Sequence, residues 1–280
     1  MGTPQYIDPP FGTYALPAKQ EATRLAGSRM GESRLGRWGI SYRRKRAIRG
    51  LTEPFDVEVA NGVKTRLYPS SNRCEKRALC GVQIWDSLER RALRAAIAAS
   101  PHTPFIFLDV GANVGLYSLF AQSYARAANR DIRLIAIEPS AEMGARLSVN
   151  SAASDAKIEL IRTAISTEAG EVFLSDGGGN RGEGQIAKSG EAVMAMTLLQ
   201  LCTQEKVTRI DALKLDIEGQ DLAVLTQFFE QAPAALHPSL MILELDENSA
   251  APLIELTQSH AYLILERTHM NIVVRKRDRT

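Results

Sequence analysis

The stretch that most restricts the fold is "FIFLDVGANVGLYSLF", Phe105 to Phe120. It opens on a run that is apolar except for Asp109, the pattern of a strand covered on both faces. Small, turn-forming residues follow, and then Leu116, Leu119, Phe120 and Tyr124 recur on one face of a helix. In such a strand, turn and helix, Gly111 and Gly115 would let backbone pass close to a ligand. The helix N-terminus would add unpaired N–H groups.

The alternation continues downstream. "RLIAIEP" reads as a second strand, "AEMGARLSVNSA" as its helix and "IELIRTAIS" as a third strand. "EVFLS" and "AVMAM" flank Asp176 to Gln185, where five glycines in ten positions predict a mobile loop. "DALKLDIEG" begins a further strand, "DLAVLTQFFEQ" its helix and "LMILELDE" the next strand. The last two runs, "AYLILERTH" and "NIVVRKR", are too close for a crossover helix and must pair antiparallel. The pattern predicts an α/β, doubly wound, mostly parallel sheet with a reversed strand at one edge and its ligand at the carboxyl ends of the strands. Ahead of it, "FDVEVANGVKTRLYP" predicts a hairpin around Asn61-Gly62. "IWDSLERRALRAAIAA" predicts a packing helix, with Asp86 or Ser87 as start and Pro101 as stop.

The chain has 280 residues, 45% of them hydrophobic, enough for one sizeable core with an appendage. We divide it at residue 50 into an extension (1–50) and a main domain (51–280). The first forty residues, rich in Gly, Pro and Ala, are expected to be poorly ordered, turning helical near Ser33 to Arg49. No window is long and apolar enough to span a bilayer, and no secretion signal is evident, which predicts a cytoplasmic protein. Cys74, Cys80 and Cys202 form no C-x-x-C pair, and the four histidines lack metal-ligand spacing, so no metal is expected. Net charge is +2, yet residues 1–50 carry ten Lys or Arg against three Asp or Glu. Their peak, "YRRKRAIRG", could meet nucleic acid, an anionic membrane surface or an acidic substrate, or be a solvated face.

The glycine turn itself reads Gly111-Ala112-Asn113-Val114-Gly115-Leu116, a poor fit to the dinucleotide fingerprint G-x-G-x-x-G. An acid two residues before the first glycine would repel phosphate and suits a ligand with an amino group. S-adenosylmethionine carries an amino acid end, a sulfonium and a ribose, and Glu138, ending the second strand, is suited to accept both ribose hydroxyls. In "DALKLDIEG", alternation sends Leu213, Leu215 and Ile217 to one face and Lys214, Asp216 and Glu218 to the other. Buried charge needs a partner, which predicts a contact of Lys214 with Glu244 or with Asp216 at the ligand cleft.

Together "FLDVGANVGLYSL", "AIEPS", "DALKLDIEGQDLAVL" and "NIVVRK" resemble the FkbM-type family of S-adenosylmethionine-dependent methyltransferases over about residues 55 to 275. The resemblance implies a class I methyltransferase sheet, Rossmann-like with its last strand reversed, and methyl transfer to a hydroxyl on a sugar, glycan or small natural product. The chain departs from the family's T-L-D at Thr197-Leu198-Leu199. The expected cofactor contacts are Asp109, gripping the amino end, with Gly111, Ala112, Asn113, Gly115, Glu138, Pro139, Ala164 and Asp216. The expected catalytic set is Asp216 as base or positioning group, Glu218 second to it, and Lys214 holding the carboxylates. Two alternatives stay open at this stage: an RNA-binding methyltransferase using residues 34–49, and a nicotinamide-dependent oxidoreductase.

Overall fold

The structure, a computed structural model, describes residues 9–175, 186–187, 189–217, 219–245 and 250–277. Two helices, α1 (Ala18–Gly27) and α2 (Arg34–Ala47), precede a hairpin of β1 (Phe55–Ala60) and β2 (Val63–Leu67). Next come α3 (Arg73–Leu79), α4 (Ser87–Ala99), β3 (Phe105–Val110), α5 (Leu116–Ala127), β4 (Ile132–Ile137), α6 (Ala141–Ala153) and β5 (Ile158–Ile161). A second group holds β6 (Ala164–Ile165), β7 (Gly170–Leu174), β8 (Ile186–Ala187), β9 (Glu191–Met196) and α7 (Leu198–Gln204). The chain then runs through β10 (Ala212–Leu215), α8 (Asp221–Gln231), β11 (Leu240–Glu244), α9 (Ala250–Ser259), β12 (Tyr262–Arg267) and β13 (Asn271–Lys276).

Seven strands form the main sheet in the order β12-β13-β11-β10-β3-β4-β5. The ladders from β11 through β5 are parallel, while β13 runs antiparallel to both β11 and β12. The reversal therefore comes from the C-terminal hairpin, as expected. Period-2 alternation splits the core between two faces. Phe105, Phe107, Ala212, Leu240 and Ile242 pack with the residues of β1, β2, α4 and α5. Ile106, Leu108, Val110, Leu213, Leu215, Met241 and Leu243 pack instead with α7, α8 and α9. Polar residues in these strands are the exceptions: Asp109 and Lys214, direct partners in the β3–β10 register, share the first face.

Three elements differ from the sequence reading. The run "IELIRTAIS" is two strands, since β6 leaves the main sheet and pairs with β9 in a four-stranded sheet ordered β6-β9-β7-β8. In the extension, α2 covers the stretch expected to be helical, while α1 lies where no regular element was expected. Arg24, 1% exposed, donates to Glu21 and to the carbonyls of Glu58 and Leu79, while Asp56 accepts from the amides of Gly12 and Tyr14. Such contacts, across tens of residues, leave no local periodicity to read. The short helix α3 is the third difference, started by Asn72, whose side chain accepts from the amides of Cys74 and Glu75. At the departure from T-L-D, Thr197 and Gln200 form a capping box that starts α7. The glycine-rich loop 176–185 and Glu218 lie outside the described residues. Among the described residues, no helix is long and apolar enough to cross a membrane.

Candidate functional site

A cavity of ≈ 630 Å³ opens at the carboxyl ends of β3, β4 and β10. Its size lies within the range of small-molecule sites. Of the residues expected at the cofactor, Gly111, Ala112, Asn113, Glu138, Pro139, Ala164 and Asp216 line it, as does Lys214. Asp109 and Gly115 do not.

The glycine turn is shaped by its own chain. Gly111 has φ +74°, and a Cβ there would lie 1.8 Å from the carbonyl oxygen of Asp216, inside contact distance. A Cβ on Gly115, at φ +82°, would lie 2.7 Å from the Leu147 side chain. The bare backbone thus admits the neighbouring strand end and α6, rather than the ligand expected from the sequence. The turn's amides are also engaged: Gly111 and Ala112 donate to the Ile137 carbonyl, Gly115 to that of Ala112 and Asn113 to Glu138 Oε2 at 2.7 Å. A pyrophosphate would find few of these donors open.

Asp109 lies outside the cavity lining. It is fully buried, and its Oδ2 accepts from the Ser118 amide at 3.0 Å and the Ser118 hydroxyl at 2.6 Å, pinning β3 to the first turn of α5. Its Oδ1 has no partner, and burial raises its pKa against the opposing pull of Lys214 and Ser118.

Glu138 does face the cavity. Its Oε2 accepts from the Asn113 amide and its Oε1 from the Ser140 amide at 2.9 Å. A carboxylate has about four lone-pair sites, so each oxygen keeps capacity for a further donor. Burial pushes this carboxyl up to about 7, with the two amides pulling the other way.

Lys214 and Asp216 make the expected contact, Nζ to Oδ2 at 2.8 Å. Lys214 Nζ also donates to the Gly111 carbonyl at 3.2 Å and lies 5.4 Å from the centre of the Tyr117 ring. Burial pulls the ammonium down, but Asp216 and Asp109 outweigh it and hold Lys214 above its ordinary range. For Asp216, burial pulls up, while Lys214 and a hydrogen bond from Glu244 prevail and keep the carboxyl below the usual range. Glu244 thus joins the network through its hydrogen bond with Asp216.

One wall was not legible. Asn72, Cys74, Trp85 and Asp86, from α3 and the approach to α4, line the cavity opposite the sheet. The Asn72 amide donates to Asn113 Oδ1 at 2.8 Å, tying this wall to the glycine turn. Asp86, expected only as a helix start, does sit at the N-cap of α4, but in the left-handed region at φ 44° and without a side-chain cap bond. Its Oδ2 accepts from the Tyr117 hydroxyl at 3.0 Å, and burial with nearby Glu89 pushes its carboxyl up to about 6. A left-handed non-glycine residue is the kind of signal that emerges only from backbone geometry. Among the described residues, six acidic and three basic side chains line the cavity, a balance suited to a positively charged ligand. Among the described residues, no group of three or more His, Cys, Asp or Glu could hold a metal ion.

Comparison with known proteins bears on identity. No curated protein matches the chain. A SAM-dependent methyltransferase from Agrobacterium tumefaciens is similar in structure, at 14% identity and TM-score 0.47, covering 81% of this chain and 71% of that one. Precorrin-6y C5,15-methyltransferase from Geobacter metallireducens is similar at 10% identity and TM-score 0.42, covering 68% and 87%. TrmK from M. capricolum, solved with S-adenosyl-homocysteine, is similar at 14% identity and TM-score 0.37, covering 66% and 67%. The family model of the methyltransferase FkbM domain matches residues 109–264, more than half of the chain, from the end of β3 through β4 and β10. That match sets the nicotinamide alternative aside, and the chain belongs to the FkbM methyltransferase family.

Proposed function

We propose that the chain transfers a methyl group from S-adenosylmethionine to a hydroxyl oxygen of a sugar, glycan or small natural product. The observation that carries this reading is a pair of carboxylates in one cavity, Glu138 at the end of β4 and Asp216 just beyond β10, with Lys214 keeping the second ionised. When bound, the cofactor supplies an electrophilic methyl carbon on a cationic sulfur.

Glu138 accepts the ribose hydroxyls with the lone pairs that the Asn113 and Ser140 amides leave over. The excess of carboxylates in the lining favours the sulfonium. Asp216 orients the acceptor hydroxyl and takes its proton as the carbon–oxygen bond forms and the carbon–sulfur bond breaks, a contribution of about 10²–10⁴-fold. Lys214, permanently protonated, cannot be the base and instead fixes the Asp216 carboxylate. Holding oxygen, carbon and sulfur in line is the larger part of the task, and a walled cavity suits it.

The test is incubation of the chain with methyl-labelled cofactor and a panel of hydroxylated sugars, glycans and small natural products, with mass spectrometry of the products. Label on oxygen supports the reading. Label confined to nitrogen, carbon or an RNA fraction overturns it.

A further inference from the structure

The helix α2 carries an exposed face that the methyl-transfer reading does not use. Gly36, Gly39, Ile40 and Ala47 turn inward. On the outer side, Leu35, Trp38 and Tyr42 are spaced i, i+3, i+7 and are 81%, 69% and 52% exposed. The two rings stack on each other, centroids 5.7 Å apart and planes 9° apart. Helical periodicity carries the same stripe on to Arg46, exposed Arg49 follows just past the helix end, and Arg34, Arg37 and Lys45 flank the stripe. No Asp or Glu occurs between Ser33 and Thr52.

We propose that α2 docks the protein onto an anionic lipid membrane surface, Leu35, Trp38 and Tyr42 entering the headgroup boundary and the surrounding Arg and Lys pairing with lipid phosphates. An apolar ridge with aromatic rings beside a wholly basic polar side is the composition of a helix that lies in the plane of an interface. Charge complementarity identifies the lipid: the cationic flank is attracted to an anionic leaflet. Single-stranded nucleic acid fits the face less well. Trp38 and Tyr42 cover one ring face of each other, and Leu35, the most exposed of the three, offers nothing for a base to stack on. The docking helix is one element removed from the reaction cavity, because Arg44 donates to the carbonyls of Lys76 on α3 and of Cys80 at its C-cap, and Arg73, Cys74 and Arg77 of α3 line that cavity.

The experiment is co-sedimentation of the full chain with vesicles of neutral phosphatidylcholine, and of the same lipid with about one-third phosphatidylglycerol, at about 0.15 M salt. The proposal expects binding to the anionic vesicles at least about tenfold tighter than to the neutral ones. A blue shift of tryptophan emission should accompany it. That shift reports Trp38, because the only other tryptophan, Trp85, is already buried. Leu35→Ser, Trp38→Ser and Tyr42→Ser combined should abolish binding while leaving the melting temperature and methyl transfer unchanged. Arg46→Glu with Arg49→Glu should abolish only the anionic preference. Absence of binding, equal binding to both vesicle types, or binding that survives the triple variant would overturn the proposal. So would a concentration-dependent dimer lost in the triple variant, or an RNA complex lost in it while vesicles are ignored.

Discussion

A Cβ on Gly111 would stand 1.8 Å from the carbonyl oxygen of Asp216, so the end of β3 and the residue after β10 are in backbone contact at the floor of the cavity. Gly111→Ala must either push Asp216 aside or strain a backbone held at φ +74°. We expect a loss of at least about 2 kcal/mol in urea unfolding. An unchanged midpoint would show that the two strand ends are free to part.

Asp216→Asn preserves shape and removes the proton acceptor. Turnover should fall at least about tenfold, with the calorimetric affinity for S-adenosylmethionine within about twofold of the parent. Equal losses in both would reassign Asp216 to cofactor binding alone.

Lys214 neutralises more than its visible partner. It faces Asp216 at 2.8 Å, and the fully buried Asp109 lies opposite it in the ladder. Lys214→Met leaves that carboxylate without a compensating charge, and a stability loss of about 3 kcal/mol is expected. Combining it with Asp109→Asn should restore part of the loss, because the orphaned charge is gone. Simple additivity of the two changes would refute the coupling.

Burial pushes the carboxyl of Glu138 up to about 7 and that of Asp86 up to about 6, above their unfolded values. Folding therefore favours their protonated forms. The stability they contribute is complete below about pH 4 and is lost as the pH rises through 6 and 7. Urea midpoints of the protein without cofactor should fall between about pH 5 and 8, and Glu138→Gln should flatten the upper part of that fall. A midpoint that climbs over this range would contradict the burial of Glu138.

Much of the site was legible because its chemistry leaves local marks. The charged residue in a strand covered on both faces announced the Lys214–Asp216 pair, and an acid at the end of a second strand announced Glu138. Asn61-Gly62 likewise marked the turn between β1 and β2. What was hidden depends on distant partners. Arg24 is buried only because Glu58 and Leu79, far along the chain, offer carbonyls to it. The wall of Asn72, Trp85 and Asp86 comes from the start of a helix of seven residues, too short for periodicity to show, and from the turn that leads into α4. For Asp109, local pattern places the residue before the glycine turn but not the direction of its carboxylate, which the Ser118 amide and hydroxyl decide.

The central claim is that this cavity takes S-adenosylmethionine, with its ribose on Glu138. Isothermal titration of the full chain with S-adenosylmethionine tests it most directly, with Glu138→Ala and NADH as comparisons. The account predicts saturable binding of one cofactor per chain, weakened at least about tenfold by Glu138→Ala, and no heat with NADH. Undiminished binding to the Glu138→Ala protein, or no binding of S-adenosylmethionine at all, would contradict it.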